Sequence, residues 1–160
     1  MRCLAICFGK VKNAMSKYFY IAYGPELNQE FMCRLCPTAK YIGKSELNDY
    51  RLRFRGEFRK AQANAERVRG YKTPAIIWQI TPLDESFLDT LHGYPFFSKK
   101  RYETVEVYGI RKRAMMYVMN HRSQLGHPNT EYYAQILDGY ISAGFDLNLL
   151  QKAAAEVLDG

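Results

Sequence analysis

The chain has one tryptophan, three scattered histidines and no apolar run approaching the length of a membrane span. Its opening, "MRCLAICFGK", is apolar over too few residues for a secretory signal, and no small-residue cleavage site follows. A cytoplasmic protein is the expectation. Cysteine is also scarce, at positions 3, 7, 33 and 36. Cys33 and Cys36 form a C-x-x-C, but no second close pair and no well-spaced histidines complete a zinc site. Such cysteines serve as small buried hydrophobes. No metal and no cofactor is expected.

Acidic residues are outnumbered, 16 against 23 basic ones, for a net charge of +7. "KKR" at 99–101, "RKR" at 111–113 and the alternating Arg51, Arg53 and Arg55 invite a nucleic-acid reading, since basic strands with aromatics bind single strands by stacking. Alternating arginines equally describe the wet face of an antiparallel strand, and no nucleic-acid-binding motif is present. A direct nucleic-acid role is therefore disfavoured.

With 160 residues, 48% of them hydrophobic, the chain suits one domain with a sizeable core. "MSKYFYIAYG" from Met15 enters a first strand at once, so residues 15–160 read as the domain. Residues 1–14 read as an N-terminal extension dispensable for folding. "YFYIAYG" (18–24) is a buried strand ended by Pro25. A helix from about Asn28 stops at Pro37. "KYIGKSEL" and "YRLRFRG" read as two strands joined at the turn-forming Asn48-Asp49. "EFRKAQANAERVRG" is ambiguous, helical by propensity and extended by position. "TPAIIWQI" (73–80) is a strong strand, and "YETVEVYGI" with "KRAMMYVMN" makes a hairpin-like pair. A helix capped near Asn129 or Thr130 ends at Gly144, and Asp146 caps a last one carrying Leu149, Leu150, Ala153, Ala154 and Val157. The pattern is α+β, with mostly antiparallel strands, no repeat and no linker.

One helix has both ends written into it. In "TPLDESFLDTLHGYP" (81–95), Thr81 and Asp84 form a capping box around Pro82. Leu83, Phe87, Leu88 and Leu91 share a face, while Gly93 and Pro95 close the helix. It ends on His92, where a protonated imidazole also suits the helix dipole.

In order and spacing these segments resemble the gamma-glutamylcyclotransferase-like family over about residues 17–158. "YFYIAYGPELNQEFM" and "RLCPTAKYIG" stand where the family has Y-G-S-N-L and a helix ending near R-C-P-x-A. "NDYRLRF" and "PAIIWQI" match its next strands, and "FLDTLHGYP" matches its helix L-D-x-x-E-G. Pro128, Asn129, Tyr132, Ile136 and Gly139 match P-S-x-x-Y with a later I-x-x-G. The resemblance implies a small twisted, mostly antiparallel β-barrel with surrounding helices. It also implies a pocket where the end of the first strand meets the Gly93 loop. The implied reaction is internal aminolysis, in which a γ-glutamyl α-amine attacks its own γ-carbonyl to give 5-oxoproline. That chemistry needs a general base, N–H donors for the oxyanion and a cavity that folds the substrate. In the family the L-D-x-x-E-G glutamate is the base, and the Y-G-S-N-L loop supplies donors.

Three of those positions differ here. His92 replaces the glutamate, and Pro25 and Glu26 replace serine and asparagine. Pro25 has no N–H. His92 and Glu26 are the candidate catalytic pair, with Tyr23, Gly24, Pro25, Leu27, Gly93 and Tyr132 around a ligand. A small amide or γ-glutamyl-type molecule is expected to bind, with weak or absent 5-oxoproline formation. Two alternatives stand beside this: an active enzyme in which His92 is the base and Glu26 supplies the negative charge, and a basic nucleic-acid-associated protein. No membrane partner is expected, and a protein partner or a homo-oligomer is left open. Convergence of Glu26 and His92 with Tyr23 on one cavity would favour chemistry, and a solvent-facing Glu26 would favour binding alone.

Overall fold

The structure is a computed structural model that describes residues 17–121 and 123–156. The expected extension 1–14 and Val157 lie outside the described residues. Five strands, β1 (Tyr18–Ala22), β2 (Lys40–Arg55), β3 (Gln62–Ile80), β4 (Ser98–Val107) and β5 (Ile110–Met119), form one sheet in the order β2-β3-β1-β5-β4. β1 is central, antiparallel to β3 and parallel to β5.

The sheet holds two corrections. Residues 40–55 are one strand rather than two, because both halves find partners on β3. Asp49 takes φ +60° and the register slips between Asn48 and Tyr50, so the turn-forming residue makes an irregularity within a strand. Most of the ambiguous segment forms the first half of β3. Pairing with Tyr50–Arg55 there outweighs helix propensity.

The expected barrel does not close. Among the described residues, β2 and β4 are the two edges of an open sheet, and no ladder joins them. Side chains occupy the seam instead. Ser45 Oγ donates to the Glu106 carbonyl at 2.7 Å, and the Tyr50 hydroxyl donates to Glu103. At one end the edges touch, since a Cβ on Gly43 would lie 2.8 Å from Val107 and Tyr108 side-chain atoms.

Among the described residues, four α-helices cover the sheet, each starting at the residue the sequence marks. α1 (Gln29–Leu35) is capped by Asn28, α3 (Thr130–Ala143) by Asn129 and α4 (Leu147–Ala155) by Asp146. α2 (Pro82–Leu91) has the full Thr81–Asp84 capping box. Gly144 closes α3 at φ +72°. No helix among the described residues is long and apolar enough to cross a membrane.

The apolar face expected for α2 is not its buried face. Leu88 and Asp84 are buried, while Leu83, Phe87 and Leu91 stay 40–49% exposed. The polar cap anchors this rotation: Asp84 accepts from the Thr38 hydroxyl at 2.7 Å as well as from Thr81. At α3 the constraint is steric. A Cβ on Gly139 would lie 2.6 Å from Leu27 Cβ, so glycine lets α3 touch the turn after β1.

Candidate functional site: a buried acid–imidazole pair

β1 ends at Ala22, and Pro25–Leu27 then makes one 3-10 turn. The turn consumes its own donors: the Leu27 N–H goes to the Gly24 carbonyl and the Asn28 N–H to the Pro25 carbonyl, both at 3.0 Å. Pro25 has none to offer. Trp78 on β3 donates its indole N–H to the Glu26 carbonyl at 3.2 Å, fixing the turn to the sheet.

The Glu26 side chain, only 1% exposed, runs beneath the end of α2. There its Oε1 meets His92 Nε2 at 2.6 Å. The Tyr20 hydroxyl lies 3.3 Å from the same nitrogen. The imidazole stacks on Tyr117, with ring centroids 4.5 Å apart and planes 10° off parallel. A carboxylate can only accept, so the shared proton rests on Nε2 when Glu26 is ionised. A neutral His92 then carries its lone pair on Nδ1, which has no hydrogen bond among the described residues.

Tyr117 is itself held. Its hydroxyl donates to Asp89 of α2 at 2.5 Å, and Lys100 Nζ lies 2.9 Å from the same carboxylate and 2.7 Å from Glu85. Burial first, then the Asp89 hydrogen bond, pushes the Tyr117 phenol far above its ordinary range. Burial and the charge of Glu26 likewise push up Tyr20. Tyr132 is raised by burial and by Glu26 against the lowering effect of its bond from Ala63. These phenols stay protonated around the carboxylate and can donate.

The expected residues divide. Glu26 and His92 meet directly, and Gly24 lies between Glu26 and Tyr132: its notional Cβ is 3.6 Å from Glu26 Oε2 and 3.8 Å from the Tyr132 hydroxyl. That hydroxyl accepts the Ala63 N–H at 2.9 Å and keeps its own proton to give. Tyr23 turns its phenol to the Tyr117 carbonyl, Leu27 faces Gly139, and Gly93 (φ +62°) packs against Phe97. Tyr20, Tyr117 and Asp89 were not singled out by sequence, and Lys100 only as part of the basic cluster at 99–101. The one available signal was the continuous apolar run of each strand, which marks Tyr20 and Tyr117 as buried without saying what they meet. A hollow of about 850 Å³ lies elsewhere, between the edges of β2 and β4 and the α3–α4 turn, and none of the expected site residues lines it.

Fold and site define an α+β protein with an open, curled mixed sheet and a buried carboxylate paired to a half-buried imidazole beside its central strand. No protein-family model matches the chain, and no curated protein matches it in sequence. Solved structures do match. One described as gamma-glutamyl cyclotransferase has a TM-score of 0.77 at 20% identity, covering 88% of each chain. An uncharacterised protein from Homo sapiens gives 0.76 at 20%, covering 87% of each. An AIG2-like protein from Mus musculus gives 0.56 at 16%, over 72% of this chain and 82% of that one. The chain has the gamma-glutamylcyclotransferase-like fold.

Proposed function

We propose that this protein is gamma-glutamylcyclotransferase-like with an altered site, that it binds a small amide or γ-glutamyl-type ligand, and that it forms 5-oxoproline weakly or not at all. One observation carries the reading: Glu26, the carboxylate at this site, is tied to His92 at 2.6 Å and almost fully buried. It is neither at the position of the family's base nor free to reach a substrate ammonium without leaving the imidazole. The loop compounds the loss, since Pro25 lacks a donor and the N–H groups of Leu27 and Asn28 are spent within the turn. Removing a base or an oxyanion donor costs about two to four powers of ten in rate. The test offers γ-glutamyl amino acids to the purified protein and measures 5-oxoproline, which is expected near background. The variant combining His92→Glu, Pro25→Ser and Glu26→Asn is expected to gain activity, and His92→Glu alone to stay poor.

A second reading is favoured by the open Nδ1 of His92. An imidazole oriented by a buried carboxylate on one nitrogen has the form of a general base on the other. Strong turnover by the unmodified protein, abolished by His92→Ala, decides for that reading and against the first.

A further inference from the structure

The hollow of about 850 Å³ between the edges of β2 and β4 and the α3–α4 turn has the roughly 300–1,000 Å³ size of small-molecule sites. Its walls are tied in place. Ser45 Oγ bonds the Glu106 carbonyl across the seam, Lys44 Nζ donates to the Ala143 carbonyl at 2.7 Å, and Asp146 caps α4. Four charged side chains of the lining have no such bond: Lys72, Arg111, Glu46 and Glu106, all exposed. Glu106 and Arg111 are register partners across the β4–β5 hairpin, and Glu46 lies diagonal to Lys72 on β2 and β3. Opposite charges so placed attract each other. Yet none of the ion pairs among the described residues includes any of the four. Elsewhere on the same sheet such charges do close, as Arg55 does on Glu66 and Arg67 on Glu103. Beside these charges the hollow carries an apolar strip of Val105, Phe145 and Leu149.

We infer that this hollow binds a small zwitterion, a free α-amino acid or a short peptide with both ends uncapped. The two signs of charge select that class. An anion entering the hollow meets Glu46 and Glu106, and a metal cation meets Lys72 and Arg111. A molecule with a carboxylate and an ammonium group satisfies both sets at once. The carboxylate takes donors from Lys72 or Arg111, and the ammonium gives its own to Glu46 or Glu106. An apolar side chain then covers the strip at Val105, Phe145 and Leu149. Neither Glu26 nor His92 lines this hollow, so occupation of one site does not require the other.

Amide nitrogen–proton correlation spectra of the full chain, titrated to about 20 mM with L-leucine and with L-leucyl-L-leucine, test this. Shifts are expected at Lys72, Arg111, Gly144 and Phe145, with a Kd on the order of 1 mM because exposed charges bind weakly. The tighter of the two probes assigns the ligand to free amino acids or to peptides. N-acetyl-leucine lacks the ammonium and leucinamide the carboxylate, and each is expected to bind at least about tenfold more weakly. The variant combining Lys72→Glu and Arg111→Glu is expected to lose both probes to the same extent, with the spectra reporting that it folds. Arg34→Ala, on α1 and 71% exposed, is expected to bind them unchanged. Should the double variant not fold, the two blocked leucines decide the matter on the unaltered protein. No shift with either probe overturns the inference, as do shifts confined to the neighbourhood of Gly24 and His92. Binding of N-acetyl-leucine or leucinamide as tight as that of leucine also overturns it, and so does a folded double variant that binds undiminished.

Discussion

His92 ends α2 and also covers a buried carboxylate, and these two duties separate by mutation. His92→Ala keeps the helix end closed through Gly93 but leaves Glu26 buried without its partner. Breaking such a pair costs several kcal/mol when both members are buried. With the His92 side chain 23% exposed, a loss of about 2 kcal/mol is expected in urea unfolding. Glu26→Gln keeps a carbonyl acceptor for Nε2 and carries no charge, so about 1 kcal/mol is expected. Equal and negligible losses would mean that the pair contributes nothing to folding. This pair was legible through the family resemblance alone: His92 stands where the family has a glutamate, and Glu26 stands where its loop has an asparagine. Tyr117 and Asp89 stayed illegible, because their contact joins α2 to a strand 28 residues onward. No local pattern encodes that pairing.

At the scale of elements, ends were legible and partners were not. Caps are local chemistry, one side chain bonding a backbone N–H two or three residues away, and all four helix starts follow from it. Strand continuity is decided across the sheet. Asp49 looks like a turn until β3 is seen to pair on both sides of it. The face of α2 was misread for a related reason: apolar spacing identifies a stripe, but the buried Asp84 cap decides which way the helix turns. Contact between α3 and the Pro25–Leu27 turn makes a sharper prediction. Gly139→Ala forces a Cβ against Leu27, so α3 must move outward, carrying Tyr132 with it. A loss of about 1–3 kcal/mol is expected, measurable as a lowered midpoint in thermal or urea unfolding. Protection of the Ala63 amide, bonded to the Tyr132 hydroxyl, should fall in hydrogen exchange. A variant as stable as the parent would show that the close approach is not needed.

Across the whole molecule, much of the positive charge is already engaged. Arg55 grips Glu66 through Nε at 2.6 Å and a terminal nitrogen at 3.1 Å, while Arg53 bonds Glu66 and Arg51 meets Glu156 at 2.8 Å. Lys112 lies over Phe19 and Arg113 over Tyr102. The alternating arginines therefore hold β2 to β3 and α4, where sequence reading left a wet strand face or a nucleic-acid surface. Burial pushes the Glu66 carboxyl up, but the hydrogen bonds from Arg55 and Arg53 outweigh it and hold Glu66 below its ordinary 4.5. A depressed carboxyl stabilises the fold fully above its unfolded value and loses that contribution as pH falls through the folded one. Stability should accordingly fall below about pH 4.5, and Glu66→Gln, weaker at neutral pH, should show a flatter acid limb. An acid limb of unchanged slope would assign acid unfolding to other groups. The α+β class and the element order were legible because each segment carries its own period. Closure of the sheet was not, because it turns on whether backbone or side chains such as Ser45 and Tyr50 fill one seam.

Trp78 has an optical consequence. It is the chain's one tryptophan, fully buried, with Tyr41 edge-on at 5.8 Å and its indole N–H on the carbonyl of Glu26. Tryptophan emission, excited where tyrosine does not absorb, therefore originates one hydrogen bond from Glu26, the residue that holds His92. A molecule that parts Glu26 from His92 shifts that carbonyl and changes the indole's brightness. A simple fluorescence titration with candidate amides then surveys the site with no label attached, and His92→Ala should alter the starting spectrum before any ligand is added.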